Sequence, residues 1–366
     1  MLNHYYASNE SSMIYMTTST SATIEISTSN NLKPSLKTAI DQTMFFASQL
    51  KVALPPEMQS VSFQKESKAV KIRSTEPLTV LLFDNNYLQS NDGTLISPVE
   101  KLKTRYLIAS SEPRFAKHPV YASLFGVAAL EDDTIVTITF KLGSNLIPLT
   151  INRQNYSDSD TFKISLNNLE TLQMEHSADL SGTLVESSKP VAVFSGNRCN
   201  MFSESIRFSH FLEQMTPTAD WGFRYIVPSD FNSDANESAF IIGRVLVNSF
   251  VKGSKNNPNS SSPYMVTIPD IIQSKSQYLI PIPEGYLNNY VTIMNETIRK
   301  YDLRLNGQPL EEGKIRFKYI SFFFSILTLE VSPGILNITT TSGSKFDLVV
   351  FGYRYLDSYG FAGSLP

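Results

Sequence analysis

Residues Asp179–Pro228 read DLSGTLVESSKPVAVFSGNRCNMFSESIRFSHFLEQMTPTADWGFRYIVP, and the alternation inside this stretch sets the fold class. Leu184 and Val185 make a short strand that stops at Ser187-Ser188-Lys189-Pro190, where the proline ring presets one backbone dihedral of a turn. Val191, Val193 and Phe194 supply the β-branched and aromatic side chains of a second strand, which Ser195, Gly196 and Asn197 end. A long polar excursion then runs from Asn197 to Trp221. Tyr225-Ile226-Val227 opens a third strand after Trp221-Gly222. His210 and Glu213 would share one face if their part of the excursion were helical.

The same period of two recurs outward, in Thr23-Ile24-Glu25-Ile26, Val70-Lys71-Ile72, Val136-Thr137-Ile138 and Leu336-Asn337-Ile338. Helical periodicity is confined to Leu36–Phe46 and Asp270–Ser274. The most apolar run, Tyr319–Leu329, reads as one buried strand and is far short of the roughly 20 residues that cross a membrane as a helix. Many short strands with turns between them give an all-β protein. Phe351, Tyr353 and Tyr355 share one strand face and are expected in a core.

A repeat organises the strands. Ile72-Arg-Ser-Thr-Glu-Pro77-Leu-Thr-Val80 superposes on Val185-Glu-Ser-Ser-Lys-Pro190-Val-Ala-Val193 at a spacing of 113 residues, so Pro77 and Pro190 are expected in equivalent turns. Ile24 and Val136 recur at 112. Three units follow: 1–115, 116–235 with the quoted signature, and a more diverged 236–366. Units of this length predict tandem antiparallel β-sandwich-like repeats; two blades per unit, a six-bladed β-propeller, is the alternative. Gly253–Pro263 is low-complexity and reads as a surface loop.

Composition narrows the function. Hydrophobic residues make up 42% and aromatic ones 11%, which describes a folded chain, while charged residues are only 18%. A net charge of −3 without a basic block argues against nucleic acid and against a polybasic membrane patch. The single Cys199 rules out a disulfide scaffold and is expected as a buried thiol, because free cysteine packs as a small hydrophobe. Met1–Met16 is too polar for a secretory leader, so the chain is expected to be a fragment or to begin late.

Catalytic patterns are missing. His4, His118, His176 and His210 are dispersed, and no nucleophile elbow, P-loop or dinucleotide fingerprint occurs. No metal or cofactor is expected. Asp132-Asp133 and Asp158 with Asp160 are the available acid pairs for a glycan-acting enzyme, although acids before strands are usually turn formers. Sequons occur at Asn9, Asn155, Asn236, Asn259, Asn295 and Asn337; Asn236 and Asn259, in loop-like sequence, are the candidate glycosylation sites.

The runs SSKPVAVFSGNRC, HFLEQMTP and WGFRYIVP, with the ending FDLVVFGYRYLDSYGFAG, resemble the N-terminal domain family of IgGFc-binding protein. The resemblance spans about Met13 to Gly363 and implies an extracellular or cell-surface, mucin-associated setting and no enzymatic activity. It implies an extracellular glycoprotein or another protein as ligand, and a chain that forms part of a larger protein. A structural spacer in a mucin-like protein is the further alternative. The family pattern has a second cysteine just before the histidine of HFLEQ, where this chain has Phe208 and Ser209. Cys199 therefore lacks that partner. The signature residues Asn197, Arg198, His210, Glu213, Gln214 and Trp221 are the candidates for a ligand site or a structural lock. As a lock, His210, Glu213 and Gln214 would bind loop backbone and Trp221 would close the loop by packing inward.

Overall fold

Strand β1 (Ser12–Thr28) shows how the period of two is spent. Ile14, Met16, Ala22, Ile24 and Ile26 all enter one core, while Tyr15, of opposite parity, enters another. The first core is closed by α1 (Pro34–Ile40) and β2 (Gln42–Ala53). The second is shared with the C-terminal third of the chain. The computed structural model describes residues 2, 12–84, 91–114, 119–142, 147–201, 208–227, 239–242, 247–251, 262–295, 302–311, 315–319, 325–355 and 357–363.

The first sheet continues with β3 (Lys65–Glu66), β4 (Val70–Ser74), β5 (Thr79–Asp84) and β6 (Gly93–Leu95); it runs β2-β1-β5-β6, with β4 also on β1, while β3 pairs elsewhere. The middle of the chain supplies β7 (Lys103–Leu107), β8 (Ser123–Ala129), β9 (Thr134–Thr139), β10 (Leu149–Ile151), β11 (Gln154–Tyr156), β12 (Thr161–Leu166), β13 (Thr171–His176), β14 (Leu184–Asn200) and β15 (Ser209–Gln214). Its main sheet runs β12-β9-β14-β8-β13-β3, with β7 and β15 added on β14. Two hairpin-like pairs follow: β16 (Arg224–Val227) with β17 (Ala239–Ile242), and β18 (Val247–Val251) with β19 (Tyr264–Ile268).

The last third contains β20 (Gln277–Ile282), β21 (Asn288–Asn295), β22 (Leu303–Leu305), β23 (Gln308–Pro309), β24 (Ile315–Tyr319), β25 (Ser325–Val331), β26 (Gly334–Thr340), β27 (Asp347–Arg354) and β28 (Asp357–Ala362). They form β20-β26-β22-β23 and β24-β25-β21-β27-β28. The protein is therefore all-β, in several antiparallel sheets, one of them nearly closed like a barrel; no propeller forms among the described residues.

Sheet registers repeat along the chain. Ile26 pairs with Ile72 and Ile138 with Val185; Leu82 pairs with Thr94 and Ser195 with Glu213. A tyrosine clasp recurs as well. The Lys103 amide donates to the Tyr106 hydroxyl (3.0 Å), which donates to Val191 O (2.7 Å). The Lys275 amide and Tyr278 hydroxyl repeat this toward Phe346 O (3.2 and 2.7 Å), and the Gly222 amide donates to the Tyr225 hydroxyl (2.9 Å).

Several expectations are corrected. Ser187–Pro190 is not a turn between strands: β14 is continuous, and its ladder partners change between Glu186 and Val191. Pro190, which has no N–H to give, occupies that irregular stretch, whereas Pro77 lies in the connection between β4 and β5. The two prolines are thus not equivalent turns. The excursion after Asn197 contains the strand β15, so His210 and Glu213, three apart, point to opposite faces. The helix expected at Leu36–Phe46 stops at Ile40, and Asp270–Ser274 holds a single 3₁₀ turn, Ile271–Gln273. Tyr319–Leu329 is not one strand, because β24 and β25 pair antiparallel, with Tyr319 opposite Ser325. Tyr355 follows the end of β27 and is 73% exposed, unlike Phe351 and Tyr353.

Burial pushes the Tyr106 hydroxyl up to about 12, so it serves as a neutral donor and acceptor. Tyr106→Phe leaves the Lys103 amide and Val191 carbonyl without this partner and should cost about 1–3 kcal/mol in denaturant unfolding.

Candidate functional site

The sheets meet through their edges. β6, β15 and β28 are the terminal strands on β5, β14 and β27, and β19 is paired on one side by β18. β6 lies against β15 and β28, and β19 lies against the same two strands. Every residue in these four strands is buried. An edge strand normally turns its spare N–H and C=O groups to water. Here they face protein, so each needs a partner.

Side chains provide those partners. Asp92 Oδ2 accepts the amides of Leu212 (3.1 Å, β15) and Met265 (3.3 Å, β19), and Oδ1 accepts that of Gly93 (2.9 Å). Thr94 Oγ1 accepts the Gln214 amide (3.0 Å), and Glu213 Oε1 accepts the Thr267 amide (2.9 Å). Gln214 Oε1 accepts the Ser97 amide (2.8 Å). Asp357 Oδ1 accepts the Asn91 amide (3.0 Å), and its Oδ2 accepts the Tyr286 hydroxyl (2.6 Å) and the Arg354 guanidinium (3.0 Å). Ser358 Oγ donates to Ser262 O, closing β28 onto the start of β19.

Each expected signature residue can now be placed. Asn197 is buried on β14 and clasps Ser111, accepting its amide (2.9 Å) and donating to its carbonyl (2.8 Å). Arg198, half-buried, pairs with Glu175. His210 is 0% exposed, with Nε2 3.0 Å from Asp84 Oδ2 and Nδ1 3.3 Å from Arg198 O. Glu213 and Gln214 belong to the junction just described. Trp221 stands apart: it is half-buried, not a core anchor, and its Nε1 donates to Thr216 O (3.1 Å). Its place after a surface 3₁₀ turn, Thr218–Asp220, keeps one side in water. Asn236 and Asn259 lie outside the described residues.

Ser12, Asp84 and His210 touch in series and hold the residue types of an acyl-transfer triad. The order is wrong for that chemistry, since Ser12 donates to Asp84 and not to His210, and all three are buried. The loop acids are turn formers. Asp132 accepts the Asn168 amide, Asp158 that of Leu142, and Asp160 that of Ser157. Among the described residues no cluster of three or more His, Cys, Asp or Glu is placed to hold a metal ion.

Burial raises the junction's acids. Glu213 is pushed up to about 8, and Asp92 well above the carboxylate range by burial and then by the neighbouring Glu213. Burial raises Asp357 too, against the pull of Arg354. Asn91, Asp92, Thr94, Asp357 and Ser358 were not expected as site residues. Their signal was a polar run, Asn91–Thr94, inside otherwise strand-forming sequence, and the Asp357-Ser358 pair inside the closing motif.

Residues 92–247, from the acid that staples β15 to β19 through the whole signature, match the family described as IgGFc binding protein. Over this region the chain is similar to the IgGFc-binding protein family. A human protein of that name, IgGFc-binding protein, is 32% identical over 149 residues, or 41% of this chain. The match spans 3% of that relative's length. No solved structure matches the chain. The matched region thus begins with the junction's first acid and includes β6 and β15, while Asp357 and β28 lie beyond it.

Two measurements follow from these contacts. Glu213→Ala strands the Thr267 amide in a sealed site and should cost about 1–3 kcal/mol. Trp221→Ala, at a half-buried position, should cost about 2 kcal/mol, below the 3–5 typical of a core tryptophan. Unaltered melting of both variants would contradict a structural role. Cys199 is a free, fully buried thiol whose ionisation burial strongly opposes. A thiol reagent should therefore modify it only as fast as the protein unfolds, and rapid labelling of the native state would refute this.

Proposed function

We propose that this chain is a non-enzymatic, extracellular or cell-surface module that binds a glycoprotein or other protein ligand and forms part of a larger protein. The observation that carries the reading is the match of residues 92–247 to the IgGFc-binding protein family. Sealed acids at the junction and loop acids occupied by backbone amides support a binding role over a glycan-acting one. No helix among the described residues is long and apolar enough to cross a membrane.

Within this proposal the signature residues Asn197, Arg198, His210, Glu213 and Gln214 act as the lock of the fold, and ligand contact falls to exposed groups. Phe223, Leu287 and Tyr355 are large apolar side chains more than half exposed. The three units 1–115, 116–235 and 236–366 remain part of the proposal, supported by the repeated registers of β1 with β4 and of β9 with β14. The human relative's name refers to the Fc part of IgG, which makes Fc the first probe.

The test is surface plasmon resonance of the chain on immobilised IgG Fc and on a purified mucin-type glycoprotein, with mass analysis of both probes afterwards. Saturable binding to either with its mass unchanged is the expected result. Trimming of a glycan or cleavage of a peptide bond would overturn the non-enzymatic reading. Failure to bind either probe would favour a spacer role.

A further inference from the structure

Thr94 Oγ1 sits among three groups within hydrogen-bond reach: the Gln214 amide (3.0 Å), the Leu95 carbonyl (3.3 Å) and Glu213 Oε2 (2.8 Å). The amide can only donate and the carbonyl can only accept. Thr94 has one proton, and directing it to the carbonyl leaves two lone pairs, one for the amide and one for a donor at Glu213. If Thr94 instead gives its proton to Glu213, the Leu95 carbonyl goes without it; with a proton on Glu213 Oε2, all three contacts are hydrogen bonds. The other oxygen of Glu213, Oε1, still accepts the Thr267 amide (2.9 Å).

Asp92 lies near enough to Glu213 for their charges to repel. Burial and Glu213 raise Asp92 as well, but its three partners, the amides of Gly93, Leu212 and Met265, are all donors that favour its ionised form, so of the two acids Asp92 keeps the charge. Among the described residues no cationic side chain pairs with either acid, whereas Asp84 has His210 and Asp357 has Arg354. Among the described residues, further ionisable groups on or beside these strands are Arg198 on β14, Tyr264 on β19, Tyr286 before β21 and Tyr359 on β28. One negative charge on Asp92 is held by three backbone amides; a second on Glu213 would have one amide, that of Thr267, and the Thr94 hydroxyl, beside a like charge.

We propose that Glu213 is a neutral carboxylic acid donating to Thr94 in the folded protein, making the contact of β6, β15 and β19 a proton-held latch that slackens as the solution turns alkaline. The upward shift of Glu213 to about 8 agrees with this arrangement. The sign follows from linkage. The unfolded chain releases this proton near the ordinary value of 4.5, the folded chain near 8. The latch's contribution is complete below the lower value and is lost as pH rises through the higher one. Across that window the folding constant should fall by up to about tenfold per pH unit from this group alone.

Glu213→Gln keeps the shape, donates to Thr94 and accepts from Thr267, but has no proton to lose. Denaturant unfolding of wild type and Glu213→Gln is measured from about pH 5 to about pH 9. The expected result is that wild type loses stability relative to the variant as pH rises, and that the variant is the more stable protein at the alkaline end. Parallel curves would overturn the proposal. If the variant fails to fold, wild-type protein labelled with ¹³C at glutamate carboxyls decides the question by infrared spectroscopy. The carbonyl band of a neutral acid should be present in folded protein near neutrality and vanish at alkaline pH; its absence at neutrality would overturn the proposal.

Discussion

A strand edge sealed inside protein must satisfy half of its backbone polar groups with something other than another ladder. This constraint governs the junction of β6, β15, β19 and β28. The amides of Leu212 and Gln214 point away from β14, and the amides of Met265 and Thr267 meet acceptors from outside their own hairpin. Asp92, Thr94 and Glu213 answer them at distances of 2.9–3.3 Å. An unpaired amide in such a site costs about 1–3 kcal/mol, so these three side chains decide whether the sheets close together or remain apart. Polar residues are kept here because an apolar core could not pair the backbone.

The junction also explains two close approaches in the signature. Gly196 pairs with Leu212, and a Cβ at that position would overlap the Phe211 carbonyl. Gly222 gives the same room to Asp270, whose Oδ2 accepts the Phe223 amide (2.8 Å). Between these points the chain runs through β15, buried on both faces, which is why its sequence, SHFLEQ, mixes apolar and polar residues without alternation. Glycine, acid and amide at fixed spacing thus follow from packing, and a family pattern of this kind can persist without any ligand touching it.

The all-β class and the buried Cys199 were legible because they depend on local alternation and composition. The repeated register was legible in part: Ile72 and Val185 do occupy matching ladder positions. The prolines misled because Pro190 sits in an irregularity within a continuous strand, a feature set by which neighbour β14 pairs with on each side. β15 was read as loop since its period of two is erased by burial on both faces. Tyr355 kept the parity of its strand but lies beyond its end. The acids Asp92 and Asp357 were missed as site residues, for the amides that give them their role include those of Leu212 and Asn91, 120 and 266 residues away in the chain.

Amide hydrogen exchange, resolved residue by residue, tests the central claim that the signature forms the sealed junction of the fold. The amides of Leu212, Gln214, Met265 and Thr267 should exchange only through global unfolding, in the slowest class of the protein and as slowly as those of the central strand β8. Exchange of these four amides at rates typical of an outer strand such as β12 would show that the junction opens on its own, and would contradict the account.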